Sequence, residues 1–150
     1  MTATQMKILI VEDSERRVQL FQSWTPPDVR FVWARSAGAA IGLLSKSSAR
    51  SYDGIMLDHD LTQQPGALGG ERYNGLHVAR EVVRRIDSDV PVLVHSGNAT
   101  GSSEMVRALK GGGFDVGHVP MPDMTPPRYL TWLESVRAAR AQYDEDNAES

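Results

Sequence analysis

The chain has no cysteine among its 150 residues, so disulfides, thiolate metal sites and cysteine nucleophiles are excluded. It also has little excess of either charge, with 16 Lys+Arg against 19 Asp+Glu and a formal net charge of −3. Gripping nucleic acid mainly through bulk positive charge is therefore excluded, while a nucleotide-sized ligand is not. Long apolar runs are missing too. The longest near the start, Ile8-Leu9-Ile10-Val11, is closed at once by Glu12-Asp13, which makes it a strand rather than a signal h-region or a membrane span. What remains is ordinary globular composition, 41% apolar and 23% charged. At this length a single core fits, burying roughly 68–70% of the extended chain's surface. A cytoplasmic protein with no membrane partner is the expectation.

Short apolar runs alternate with helical patterns. Lys7 to Val11, Val29 to Ala34, Gly54 to Asp58, Val90 to His95 and Val116 to Val119 read as five strands, the first of them buried on both faces. Between them, Ser14 caps a helix marked by Val18 and Phe21, and Ser36 to Leu44 is a small-residue helix. Asn74 caps a helix whose face is Leu76, Ala79, Val83 and Ile86, and Ser102 or Ser103 opens another, ended by Gly111-Gly112-Gly113. Thr125-Pro126-Pro127 starts the last, with Leu130, Leu133 and Val136 on one face. The stretch Leu61 to Asn74 has no period, and loops of this length in compact domains usually carry function; a lid over the site is the expectation.

Strands alternating with helices predict a parallel sheet covered on both faces. Ligands in such folds bind beyond the carboxyl ends of the strands, where strand order reverses. Those ends read Glu12-Asp13-Ser14, Asp58-His59-Asp60, His95-Ser96-Gly97-Asn98 and Met121-Pro122. In the order 2-1-3-4-5, neighbouring strands about 4.8 Å apart bring Asp13, Asp58 and Ser96 together. Gathered carboxylates repel unless a hard cation neutralises them. Magnesium, or another divalent cation, suits such a site because it takes one or two carboxylates and completes its shell with water and phosphate oxygens. His59 and His95 flank the key positions and are the candidate general acid–base groups. Arg72, in the loop, is the arginine best placed to reach a phosphate.

At these residues the chain resembles the receiver domain of two-component response regulators, from KILIVEDS to the last helix. The resemblance implies a flavodoxin-like three-layer α/β sandwich; length and composition point to one domain over residues 1–144 and an acidic disordered tail over 145–150. It implies that Glu12 and Asp13 are an acidic metal pair, that Asp58 is the phosphorylatable aspartate, and that Ser96 is the hydroxyl after the fourth strand. It also implies a histidine kinase as partner. No DNA-binding output domain is expected.

Three features depart from the ordinary receiver. Met121-Pro122 stands where receivers carry lysine and proline, and no lysine follows Lys110. The loop after the third strand spans 17 positions from Asp58 to Gly75. The runs Asp58-His59-Asp60-Leu61 and His95-Ser96-Gly97-Asn98 resemble the divergent subgroup called cyclic-phosphate-processing receiver domains. That resemblance implies work on a phosphate-bearing small molecule or RNA end. It adds Asp60 to the candidate metal ligands Glu12, Asp13 and Asp58, and Asn98 to the candidate phosphate contacts Ser96 and Arg72. The alternative is a stand-alone regulator phosphorylated on Asp58 in a phosphorelay.

Overall fold

The computed structural model describes residues 5–61 and 73–148. Most of the loop expected to act as a lid, with Arg72, lies outside the described residues. In chain order the elements are β1 (Met6–Val11), α1 (Glu15–Trp24), β2 (Val29–Ala34), α2 (Ala37–Ser45), β3 (Gly54–Leu57) and α3 (Gly75–Arg85). They continue with β4 (Val92–Val94), α4 (Ala99–Gly111), β5 (Val116–His118), a 3₁₀ turn (Met121–Asp123) and α5 (Pro126–Ala148). The strands form one parallel sheet in the order β2-β1-β3-β4-β5. This is the three-layer flavodoxin-like α/β sandwich expected from the sequence.

Strand side chains alternate between faces, and the sheet sorts its helices accordingly. Leu9, Val11, Ile55, Leu57, Val92 and Val94 face one core with Ala40 and Leu44 of α2, Val78 and Val82 of α3, and Met105 and Leu109 of α4. Ile8, Ile10, Met56 and Leu93 face the other, against Val18 and Phe21 of α1 and Tyr129, Trp132 and Val136 of α5. Gly54 belongs to this second face. A Cβ there would stand 3.0 Å from a Val136 methyl and 3.1 Å from the Trp132 ring. Burying each large apolar side chain stabilises the fold by roughly 1.5–3 kcal/mol, and β1, β3 and β4 are almost wholly buried.

Local chemistry sets most helix starts. The Ser14 hydroxyl accepts from Arg17 N, and the Ser36 hydroxyl accepts from Ala39 N. Asn74 and His77 form a reciprocal capping box on α3, which gives His77 a structural task.

Three details differ from the sequence reading. The helix expected to open at Ser102 or Ser103 begins at Ala99, because the Asn98 side-chain oxygen accepts from Gly101 N at 2.9 Å. The buried face of α3 is Val78, Ala79 and Val82, with Leu76 and Val83 only partly covered. The acidic stretch after Tyr143 is helical through Ala148, tied by Arg140 to Asp144 and Gln142 to Asp146 one turn apart.

Candidate functional site

The backbone ladder runs one residue past the ends of β1, β3 and β4. Glu12 N donates to Ala34 O, Asp58 N to Val11 O and His95 N to Leu57 O, at 3.0–3.1 Å. Glu12, Asp58 and His95 thus stand side by side at the carboxyl edge. Each is also an even step from Ile10, Met56 and Leu93, so all three side chains fall on the α1/α5 face. The Trp33 indole N–H donates to Glu12 O at 2.7 Å and pins the end of β1. This parity brings Glu12 into the site. Glu12, Asp13 and Asp58 form one group in which one carboxylate oxygen from each lies within 4.8 Å of the other two.

Burial governs the charge in this group. Glu12 is fully buried and Asp58 is 2% exposed. Burial, the hydrogen bond with Glu12 and the Glu12 charge push the Asp58 carboxyl up to about 6. Burial raises Glu12 as well, against hydrogen bonds from Asp58 and Arg17. His95 is fully buried against the Phe21 ring, 5.5 Å away edge-on. Burial drives it down to about 4, so its 3.3 Å contact with Glu12 Oε2 is a hydrogen bond from a neutral imidazole through Nε2–H, not an ion pair. Nδ1 of His95 is buried without a partner among the described residues. The Ser96 hydroxyl accepts from Asn98 N at 3.1 Å, and its nearness to Asp58 favours the charged carboxylate against the effect of burial.

A second constellation lies beside the first. His59 Nδ1 is 2.9 Å from Asp60 Oδ1, and the Asn98 amide donates to the same oxygen at 3.0 Å. A 3.4 Å approach of that amide to His59 Nδ1 is also present. Two donors cannot bond each other, so we assign both protons to Asp60. That assignment agrees with the carboxyl of Asp60 being held low, first by His59 and then by Asn98. Asp60 is 64% exposed and does not join the carboxylate group; it orients His59 instead. Two positions past Asp58, it has left the sheet edge for the surface. The His59 ring packs on Gly101, where a Cβ would stand 2.4–2.5 Å from ring atoms.

Sequence reasoning missed Arg17. Its Nη1 lies 3.1 Å from Glu12 Oε1 and 3.4 Å from Asp58 Oδ2. The signal was present: with Ser14 as cap, Arg17 is the third residue of α1, and side chains there lean back over the helix start, toward the strand ends. Met121 N donates to His95 O, so the residue standing in for the receiver lysine does reach this edge, but its side chain is a thioether packed against the α1/α5 core.

Among solved structures the fold is that of response-regulator receivers. The chain is similar to the receiver domain of a sensor histidine kinase from Pseudomonas aeruginosa, described with a magnesium ion coordinated in its active-site cleft (17% identity, TM-score 0.61, covering 88% of this chain and 98% of that one). It is likewise similar to a CheY-like receiver domain from Methanospirillum hungatei (15% identity, TM-score 0.68, 92% and 98% covered). A response regulator receiver protein from Sinorhizobium medicae is a third such structure (23% identity, TM-score 0.64, 90% and 97% covered). At these identities the likeness establishes the fold. The family model of the cyclic-phosphate processing receiver domain matches residues 7–111, and the chain belongs to that family. Comparison with curated proteins gives no match. Among the described residues no helix is long and apolar enough to cross a membrane.

Proposed function

We propose that the pocket is a divalent-cation site that opens a cyclic phosphodiester, with Asp58 at its centre. The observation that carries this reading is the group of three carboxylates, Glu12, Asp13 and Asp58, within 4.8 Å, beside an oriented His59. The donor set fits a hard cation: it is all oxygen, two of its members are buried, and a guanidinium already bridges those two. Glu12, Asp13 and Asp58 would hold magnesium, which supplies charge neutralisation at the phosphate and a more acidic water. Cytoplasmic residence is part of this proposal.

The chain's own residues have separate tasks. Ser96 Oγ, held by Asn98 N, presents its proton at the edge where Asp58 sits. Asp60 fixes Nδ1 of His59 as its hydrogen-bonded nitrogen, which leaves Nε2 to give a proton to the leaving oxygen. In the step proposed, a water oxygen bonds to phosphorus as the ring P–O bond breaks, and His59 protonates the released ester oxygen. The water gives up one proton to solvent, and His59 takes one back. The product is a phosphomonoester with a free hydroxyl. The absence of an ammonium at Met121 favours this over aspartyl phosphate formation, since phosphoryl transfer depends on cancelling charge on the transferred oxygens.

Phosphorus NMR tests the reading, with a 2′,3′-cyclic nucleotide and magnesium in one tube and acetyl phosphate and magnesium in another. The expected result is monoester from the first and slow or no phosphorylation in the second. Rapid phosphorylation of Asp58 with the cyclic nucleotide untouched would hand the site to a phosphorelay with a histidine kinase partner.

A further inference from the structure

We propose that Arg17 exchanges partners when the cation binds: it neutralises Glu12 and Asp58 in the metal-free protein, and turns to the phosphate once the metal takes those carboxylates. The proposal rests on the cation site described above. Three observations carry it. First, the Arg17 guanidinium lies on the carboxylate oxygens themselves, 3.1 Å from Glu12 and 3.4 Å from Asp58, so the same oxygens cannot serve it and a divalent cation at full strength. Second, the side chain is 42% exposed, and the residue is tied to the Ser14 cap only through its backbone N–H. Its long stem can therefore swing without disturbing α1. Third, the position after β5 carries no positive charge. It holds Met121, and no lysine follows Lys110, so no ammonium from that side can meet phosphate oxygens.

A cation of charge two placed among Glu12, Asp13 and Asp58 repels a guanidinium about 4 Å away. With its carboxylates taken, Arg17 is left at a mouth where the exposed Asp60 is already held by His59 and Asn98, and the incoming phosphate is the anion it can meet. A planar guanidinium meets phosphate oxygens through two parallel N–H donors, a geometry that an ammonium cannot copy. Metal and phosphate would then bind with positive cooperativity, because the metal frees the arginine that the phosphate needs.

The experiment is a pair of titrations on wild type, Arg17→Gln and Arg17→Lys, with magnesium alone and with methyl phosphate at zero and saturating magnesium. In Arg17→Gln, magnesium alone is expected to bind several-fold more tightly, because its competitor is gone. The gain in methyl phosphate affinity that magnesium produces in wild type is expected to fall by about tenfold, with Arg17→Lys in between. A fixed surface charge would lower methyl phosphate affinity by the same factor with and without magnesium, and that result overturns the proposal. So does a gain equal to that of wild type. Failure of magnesium to bind wild type or either variant would instead remove the cation site itself. Melting curves matching wild type establish that the variants are folded.

Discussion

Replacing Asp58 by Asn is expected to lower cyclic phosphodiester turnover by at least about a hundredfold while making the metal-free protein more stable. The two effects have one origin. Asp58 is held among Glu12, His95 and Ser96 and is almost fully buried, which suits a cation and is unfavourable for a bare carboxylate. Its carboxyl is pushed from 3.8 up to about 6. At pH 7.5 in a chelator, the neutral amide should add about 1–3 kcal/mol of unfolding free energy.

The same experiment run across pH has a sharper signature. A raised carboxyl contributes stability fully below the unfolded value of 3.8, and loses it as pH rises through about 6. His95 works the other way: with its value lowered from 6.5 to about 4, it contributes above 6.5 and loses that as pH falls through about 4. Between those limits the native state carries a proton on Asp58, and the unfolded state carries one on His95. Proton numbers match, and the two slopes cancel. Compared with wild type, Asp58→Asn should lose stability as pH falls from 6.5 toward 4, by up to about 1.4 kcal/mol per pH unit. His95→Gln should gain stability over the fall from 6 to 4, helped by the raised Glu12. Urea unfolding of the three proteins in EDTA measures this, and parallel pH profiles would contradict the charge assignment.

Gly75→Ala is expected to cost about 3 kcal/mol or more, the upper part of the overpacking range. A Cβ at this position would stand 2.3 Å from the Asp58 carbonyl oxygen and 2.6 Å from His59 Cα. Both obstacles are backbone, and Gly75 N also donates to His59 O at 3.0 Å, so α3 cannot back away without breaking that bond. Because the displaced atoms belong to Asp58 and His59, magnesium affinity should fall together with stability. Gly42→Ala is the control. It lies in α2, where an added Cβ would meet nothing within 4 Å, and should gain about 0.5–1 kcal/mol from helix propensity. Equal effects at the two positions, read by denaturant melts, would contradict the close packing of α3 on the site.

The fold was legible because its signals were local and mutually consistent. Ile8 to Val11 ends in Glu12-Asp13, Ser14 and Asn74 cap the following helices, and the Thr125-Pro126-Pro127 start is followed by the buried Leu133 and Val136. Asp58 and Ser96 were found by topology, since strand ends converge wherever strand order reverses. What escaped depended on distances across the chain. Gly97-Asn98 suits a loop, and the cap that Asn98 gives α4 is visible only once α4 is in place. Asp60 shares a run with Asp58, yet two steps of chain take it out of the carboxylate group and onto His59. Arg17 carried no mark in the sequence that set it apart from the other arginines. Only the seating of α1 against the ends of β1 and β3 shows that it rests on two buried acids.

The proposed chemistry stands or falls on whether Glu12, Asp13 and Asp58 hold a cation in direct reach of a phosphate. Manganese can replace magnesium as a spectroscopic probe, and electron–nuclear double resonance then reads phosphorus nuclei near the metal. With a cyclic phosphorothioate analogue bound, wild type should show a strong phosphorus coupling, and Asp58→Asn should show none at the same manganese concentration. Manganese that binds both proteins alike, with no phosphorus coupling in either, would refute a phosphate-facing cation at these three carboxylates.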